Sequence, residues 1–124
     1  MNKINLITPP DKLHNDAFSL LLIQPTEFTK SQIQTIVQEI DVAINIYLYE
    51  TSDIDWLLDV TALADCVIVD IDNCNSATRD LCSYLIAKPK TYWLTQGENT
   101  VYNKLSANRI YDLDFIRRIL EQEI

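Results

Sequence analysis

Apolar residues recur along this chain in two rhythms. Phe18-Ser19-Leu20-Leu21-Leu22-Ile23, Ala43-Ile44-Asn45-Ile46-Tyr47-Leu48-Tyr49, Cys66-Val67-Ile68-Val69 and Thr91-Tyr92-Trp93-Leu94 are short, nearly continuous runs rich in β-branched and aromatic side chains. That pattern predicts strands covered on both faces. Between the runs the spacing lengthens to three and four. Ile33, Ile36, Val37 and Ile40 form one such set, Ile54, Leu57, Leu58 and Thr61 a second, Ala77, Leu81, Tyr84 and Leu85 a third, and Phe115, Ile116, Ile119 and Leu120 the last. Each set lines one face of a helix.

The punctuation agrees with the rhythm. Thr26 or Thr29, Ser52 or Asp53, Asn75 or Ser76, and Asp114 are good caps for these helices, and Gln24-Pro25 and Lys88-Pro89 break the chain between elements. Residues 99–106 predict a further short helix, and Arg109-Ile110-Tyr111 a fifth strand. The 43–49 strand reads as nearer an edge, because Asn45 and the tyrosine hydroxyls need polar company. Trp56 falls off its helix's stripe, which makes it either a partly buried flank or an exposed contact residue. In residues 1–17, Ile4-Asn5-Leu6-Ile7 alternates like a strand and Pro9-Pro10 stops it. That segment is an edge strand or an extension across the domain.

Five strands thus alternate with five helices, at gaps that permit only neighbouring placement. Right-handed crossovers then give an α/β fold, a three-layer doubly wound parallel five-stranded sheet in the flavodoxin-like order 2-1-3-4-5. The length of 124 residues fits a single domain of that kind.

Composition narrows the chemistry. A net charge of -8 argues against nucleic acid and against an anionic membrane surface. No apolar run is long enough to span a bilayer or to act as a signal peptide, so a cytoplasmic protein is expected. Cys66, Cys74 and Cys82 follow one another at gaps of eight, which suits reduced thiols better than disulfides or zinc, and the lone His14 has no partner for a metal. Gly97 is the single glycine, where about eight or nine are usual for this length. Phosphate-cradling loops need several, so neither a dinucleotide cofactor nor a P-loop nucleotide is expected.

The candidate site follows from topology. In an open α/β sheet the ligand crevice lies at the carboxyl ends of the central strands, where the strand order reverses. Here Gln24, Pro25 and Thr26 would face Asp70, Asp72 and Asn73 across it, with Ser76 and Thr95 nearby. Equally, Asp70 and Asp72 serve as strand terminators that accept hydrogen bonds from the turn that follows.

Two families resemble this layout. With its βα alternation, Asp70 or Asp72 ending one strand and Thr95 ending the next, the chain is similar to response-regulator receiver domains. That resemblance implies a phospho-acceptor aspartate. The acidic pair and the lysine of that family are replaced by Ile23-Gln24-Pro25 and Tyr111-Asp112-Leu113, which implies a degenerate pseudo-receiver without magnesium. The passage from Leu63-Ala64-Asp65 through Cys66-Val67-Ile68-Val69-Asp70 and Ser76-Ala77-Thr78 to Ala87-Lys88-Pro89 resembles nucleoside 2-deoxyribosyltransferase-like proteins. This second resemblance implies Asp80 as nucleophile and Asp70 or Asp72 as acid/base. The expectation that uses the fewest of these assumptions is a non-catalytic interaction or regulatory module. It would bind a protein partner or a second copy of itself, with a small-molecule ligand as a further option. Its crevice would be plugged by side chains, and its apolar contact patch would include Trp56, Tyr102 or Tyr111.

Overall fold

In the computed structural model, which describes residues 4–9, 17–40, 43–50, 54–70, 73–78, 80, 91–94, 109–110 and 113–123, the apolar runs become strands of one parallel sheet. The elements in chain order are β1 (Ile4–Ile7), β2 (Phe18–Ile23), α1 (Glu27–Ile40), β3 (Ile44–Tyr49), α2 (Ile54–Leu63), β4 (Cys66–Asp70), β5 (Thr91–Leu94), β6 (Arg109–Ile110) and α3 (Leu113–Glu123). The sheet order is β1-β3-β2-β4-β5-β6, and every neighbouring pair is parallel. Counted from β2, five strands follow the flavodoxin-like order 2-1-3-4-5. β1 adds a sixth strand outside β3, with Ile4 opposite Ile44 and Ile7 opposite Tyr47.

Alternation along each strand divides the core into two layers. Leu20, Leu22, Ile46 and Ile68 meet Ile33 and Val37 of α1 and Ile116 and Leu120 of α3. Leu21, Ile23, Tyr47, Val67 and Val69 meet Trp56, Leu57 and Val60 of α2 on the other face. The apolar runs are continuous because both faces of these strands are covered. α1 and α3 share their face and are also joined by an Arg117–Glu39 ion pair. At the opposite end of β4 from Asp70, Asp65 ties the entrance of β2. Ser19 N–H donates to Asp65 Oδ2 at 2.8 Å, and Asp65 N–H donates to Ser19 C=O at 2.8 Å. Among the described residues no helix is long and apolar enough to cross a membrane.

Several local expectations change. Trp56 is buried at 7% exposure with its ring 6.1 Å from that of Tyr47, while Ile54 and Leu58 stand 38% and 39% exposed. The helix is rotated from the stripe read above because the indole offers more apolar surface to bury than an aliphatic chain does. Trp56 therefore forms no contact patch, and Tyr102 and Tyr111 lie outside the described residues. β3 is buried along its whole length and lies one strand in from the edge. β1 covers its outer side, and Asn5 Nδ2 donates to Asn45 Oδ1 at 2.9 Å, supplying the polar company that Asn45 needs. Asp114 lies within the first turn of α3 instead of capping it, and Ala77 is exposed while Thr78 is buried.

Replacing Trp56→Ala should lower the unfolding free energy by about 3–5 kcal/mol in urea denaturation. Asp59→Asn on the exposed side of α2 should change it by no more than about 0.5 kcal/mol.

Candidate functional site

β2 and β4 are neighbours, paired with Ile23 opposite Val69. The chain leaves them on opposite faces: α1 packs on one, and Cys74, just past β4, packs into the layer of α2 on the other. This is the point where the strand order reverses. Backbone groups at the two strand ends lose their ladder partners here and must find others.

Thr26 caps α1. Its Oγ1 accepts from Thr29 N–H at 3.1 Å, and its C=O accepts from Lys30 N–H at 2.9 Å. In a capping box, a glutamate three residues on reaches back to the cap residue's own N–H. Thr29 occupies that position, and its hydroxyl accepts from the Thr26 hydroxyl at 3.0 Å. The missing carboxylate comes from the adjoining strand: Thr26 N–H donates to Asp70 Oδ2 at 3.2 Å. Asp70 is 7% exposed and sits at the N-terminal end of α1, where the helix dipole favours a negative charge.

Gln24 closes the other side. Its backbone turns into the left-handed region, φ 47°, at a cost of about 1–2 kcal/mol for a residue with a Cβ. Three hydrogen bonds hold it there. Gln24 N–H donates to Tyr49 C=O at 2.7 Å, Gln24 C=O accepts from Asn73 Nδ2 at 2.7 Å, and Gln24 Oε1 accepts from Asn75 N–H at 2.9 Å. Asn75 in turn accepts from Thr78 N–H through Oδ1 at 2.9 Å, capping the helical turn at 76–78. Cys74 Sγ donates to Asp70 C=O at 3.3 Å. One strand end is thereby bonded to the other through side chains.

Above these contacts a shallow polar groove of about 220 Å³ remains, lined by Gln24, Pro25, Glu50, Asn73 and Asn75. Lys30 lies beside it, 3.0 Å from Glu27 and 3.6 Å from Glu50. The hydrogen bond to Glu27 raises the Lys30 pKa most, burial opposes the rise, and the Glu50 and Glu27 charges add to it. The structure brings together Gln24, Thr26, Asp70 and Asn73 from the residues read in the sequence. Ser76 is exposed in the helical turn, and Asp80 is helical and exposed but does not line the groove. Asp72 and Thr95 lie outside the described residues. Glu50 and Asn75 were not among the sequence candidates for the crevice. The signal for Glu50 is its place at the carboxyl end of β3, next to β2. Among the described residues, no group of three or more His, Cys, Asp or Glu side chains is arranged to hold a metal ion.

Asp70→Asn keeps an oxygen for Thr26 N–H and should stay within about 1 kcal/mol of the parent in chemical denaturation, whereas Asp70→Ala orphans that amide and should lose about 1–3 kcal/mol.

No protein-family model matches the chain, and no curated protein is similar to it at a significant level.

Proposed function

We propose that this chain is a small non-catalytic binding module on a flavodoxin-like scaffold, an interaction or regulatory domain. The observation that carries this reading is the use made of Asp70. Its carboxylate is buried and accepts the Thr26 amide, and beside it Gln24, Asn73 and Asn75 bond to one another across the crevice. A phospho-acceptor must be open to its donor and supported by metal-binding carboxylates, but β2 ends in Gln24-Pro25, one of which is an amide and the other apolar. A glycosyl-transferring nucleophile must face the sugar within a few ångströms, and Asp80 stands exposed, apart from the groove lining. The residues at this position thus act as a brace, and the surface above them is left for recognition.

Incubation with magnesium and acetyl phosphate should leave the intact mass unchanged, and incubation with deoxynucleosides and free bases should give no exchanged product by chromatography. A phosphorylated aspartate would replace this reading with a receiver-type switch. Base exchange lost in Asp80→Asn would replace it with a deoxyribosyltransferase.

A further inference from the structure

The side-chain amides around the groove have fixed orientations, because each is bonded to a backbone group that can play only one part. A backbone N–H only donates, so the Gln24 atom facing Asn75 N–H is oxygen, and the Asn75 atom facing Thr78 N–H is oxygen too. A carbonyl only accepts, so the Asn73 atom facing Gln24 C=O is nitrogen. What each amide has left over is thereby determined. Gln24 Nε2 and Asn75 Nδ2 remain as donors, Asn73 Oδ1 remains as an acceptor, and none of the three makes a further bond among the described residues. Gln24 is 7% exposed and lines the groove, so the little surface it keeps borders that space.

Glu50 adds a carboxylate to the same wall. Among the described residues here, the carboxylates of Glu27, Glu50 and Asp70 outnumber the one cation, Lys30, so a phosphate or another strong anion is disfavoured. The complement is a compact ligand with a cationic donor for Glu50 and Asn73 and, next to it, an uncharged or weakly charged oxygen for the amides of Gln24 and Asn75. A space of about 220 Å³ admits a group the size of one residue and falls below the range typical of drug-sized ligands.

We infer that the groove binds an α-ammonium group together with its adjacent carbonyl, as carried by a free amino acid or by the amino terminus of another polypeptide. This rests on the binding-module reading and names the chemistry that the module recognises. Capture of an amino terminus by a cluster of fixed polar groups is an established mode of peptide recognition, best known in backbone nests; here side-chain amides and a carboxylate take that part.

Titration of ¹⁵N-labelled protein with glycinamide, glycine and N-acetylglycinamide tests it, with the side-chain amide signals of Gln24, Asn73 and Asn75 as the readout. Glycinamide should move these signals, and N-acetylglycinamide, which lacks the ammonium, should not. Glu50→Gln should weaken glycinamide binding at least tenfold, and Asp59→Asn, which removes the same charge from the outer side of α2, should leave it unchanged. Glycine matching glycinamide assigns the site to free amino acids, while glycine binding more weakly assigns it to a polypeptide terminus. No glycinamide response, or an equal response to N-acetylglycinamide, overturns the inference. Such a failure would leave the phosphorylation and base-exchange outcomes as they stand, and a catalytic outcome there would leave this titration equally readable.

Discussion

Where two adjacent parallel strands send their chains to opposite faces of a sheet, the backbone at their ends has no ladder to join. That constraint organises the centre of this protein. β2 and β4 part at Ile23 and Val69, and the groups exposed by the parting are answered by side chains from the other strand's exit. Asp70 takes the amide that starts α1, the Asn73 side chain donates to the carbonyl of Gln24, and the Gln24 side chain in turn accepts from the backbone N–H of Asn75. An unpaired group of this kind costs about 1–3 kcal/mol, which is a large fraction of the stability of a small domain. The polar tip of the central strand is explained by this need before any chemistry is invoked.

The fold was largely legible because period and punctuation agreed. The runs at 18–23, 44–49, 66–70 and 91–94 are strands and 27–40 is a helix, each decided by spacing that tertiary contacts had no reason to override. The errors arose where two apolar faces competed or where a partner was distant in sequence. On α2, counting positions equally favoured Ile54 and Leu58, but the indole of Trp56 has more area to bury and sets the rotation. On β3, Asn45 and two tyrosines point toward the edge of the sheet, and β3 is next to it, but nothing local reveals that β1, 40 residues away in sequence, lies outside it to satisfy the asparagine.

The site was legible in outline only. The rule for open α/β sheets places Gln24 and Thr26 opposite Asp70 and Asn73, and these residues do meet. The left-handed turn at Gln24 was not legible, since the usual signal for such a turn is glycine and the chain has none there. Without that turn, the link from Gln24 Oε1 to Asn75 and the resulting orientation of the amides could not be anticipated. Asp65 illustrates the converse. It flanks the apolar strand at the end opposite Asp70, and no local signal shows that its carboxylate takes the Ser19 amide at the entrance of β2 while Asp70 takes the Thr26 amide beyond its exit.

The position of β1 bears on the order in which this chain assembles during synthesis. The strand leaves the ribosome before β2 and β3, but the neighbour it pairs with is β3, and β3 has its other edge on β2. Residues 4–7 must therefore wait until residue 49 has emerged before their ladder can form, and the ordering cost of that delayed closure falls on a strand of only four residues. β1, made before β2 and β3, is thus seated only after β3 is complete, and β3 carries an unzipped margin on that side until then.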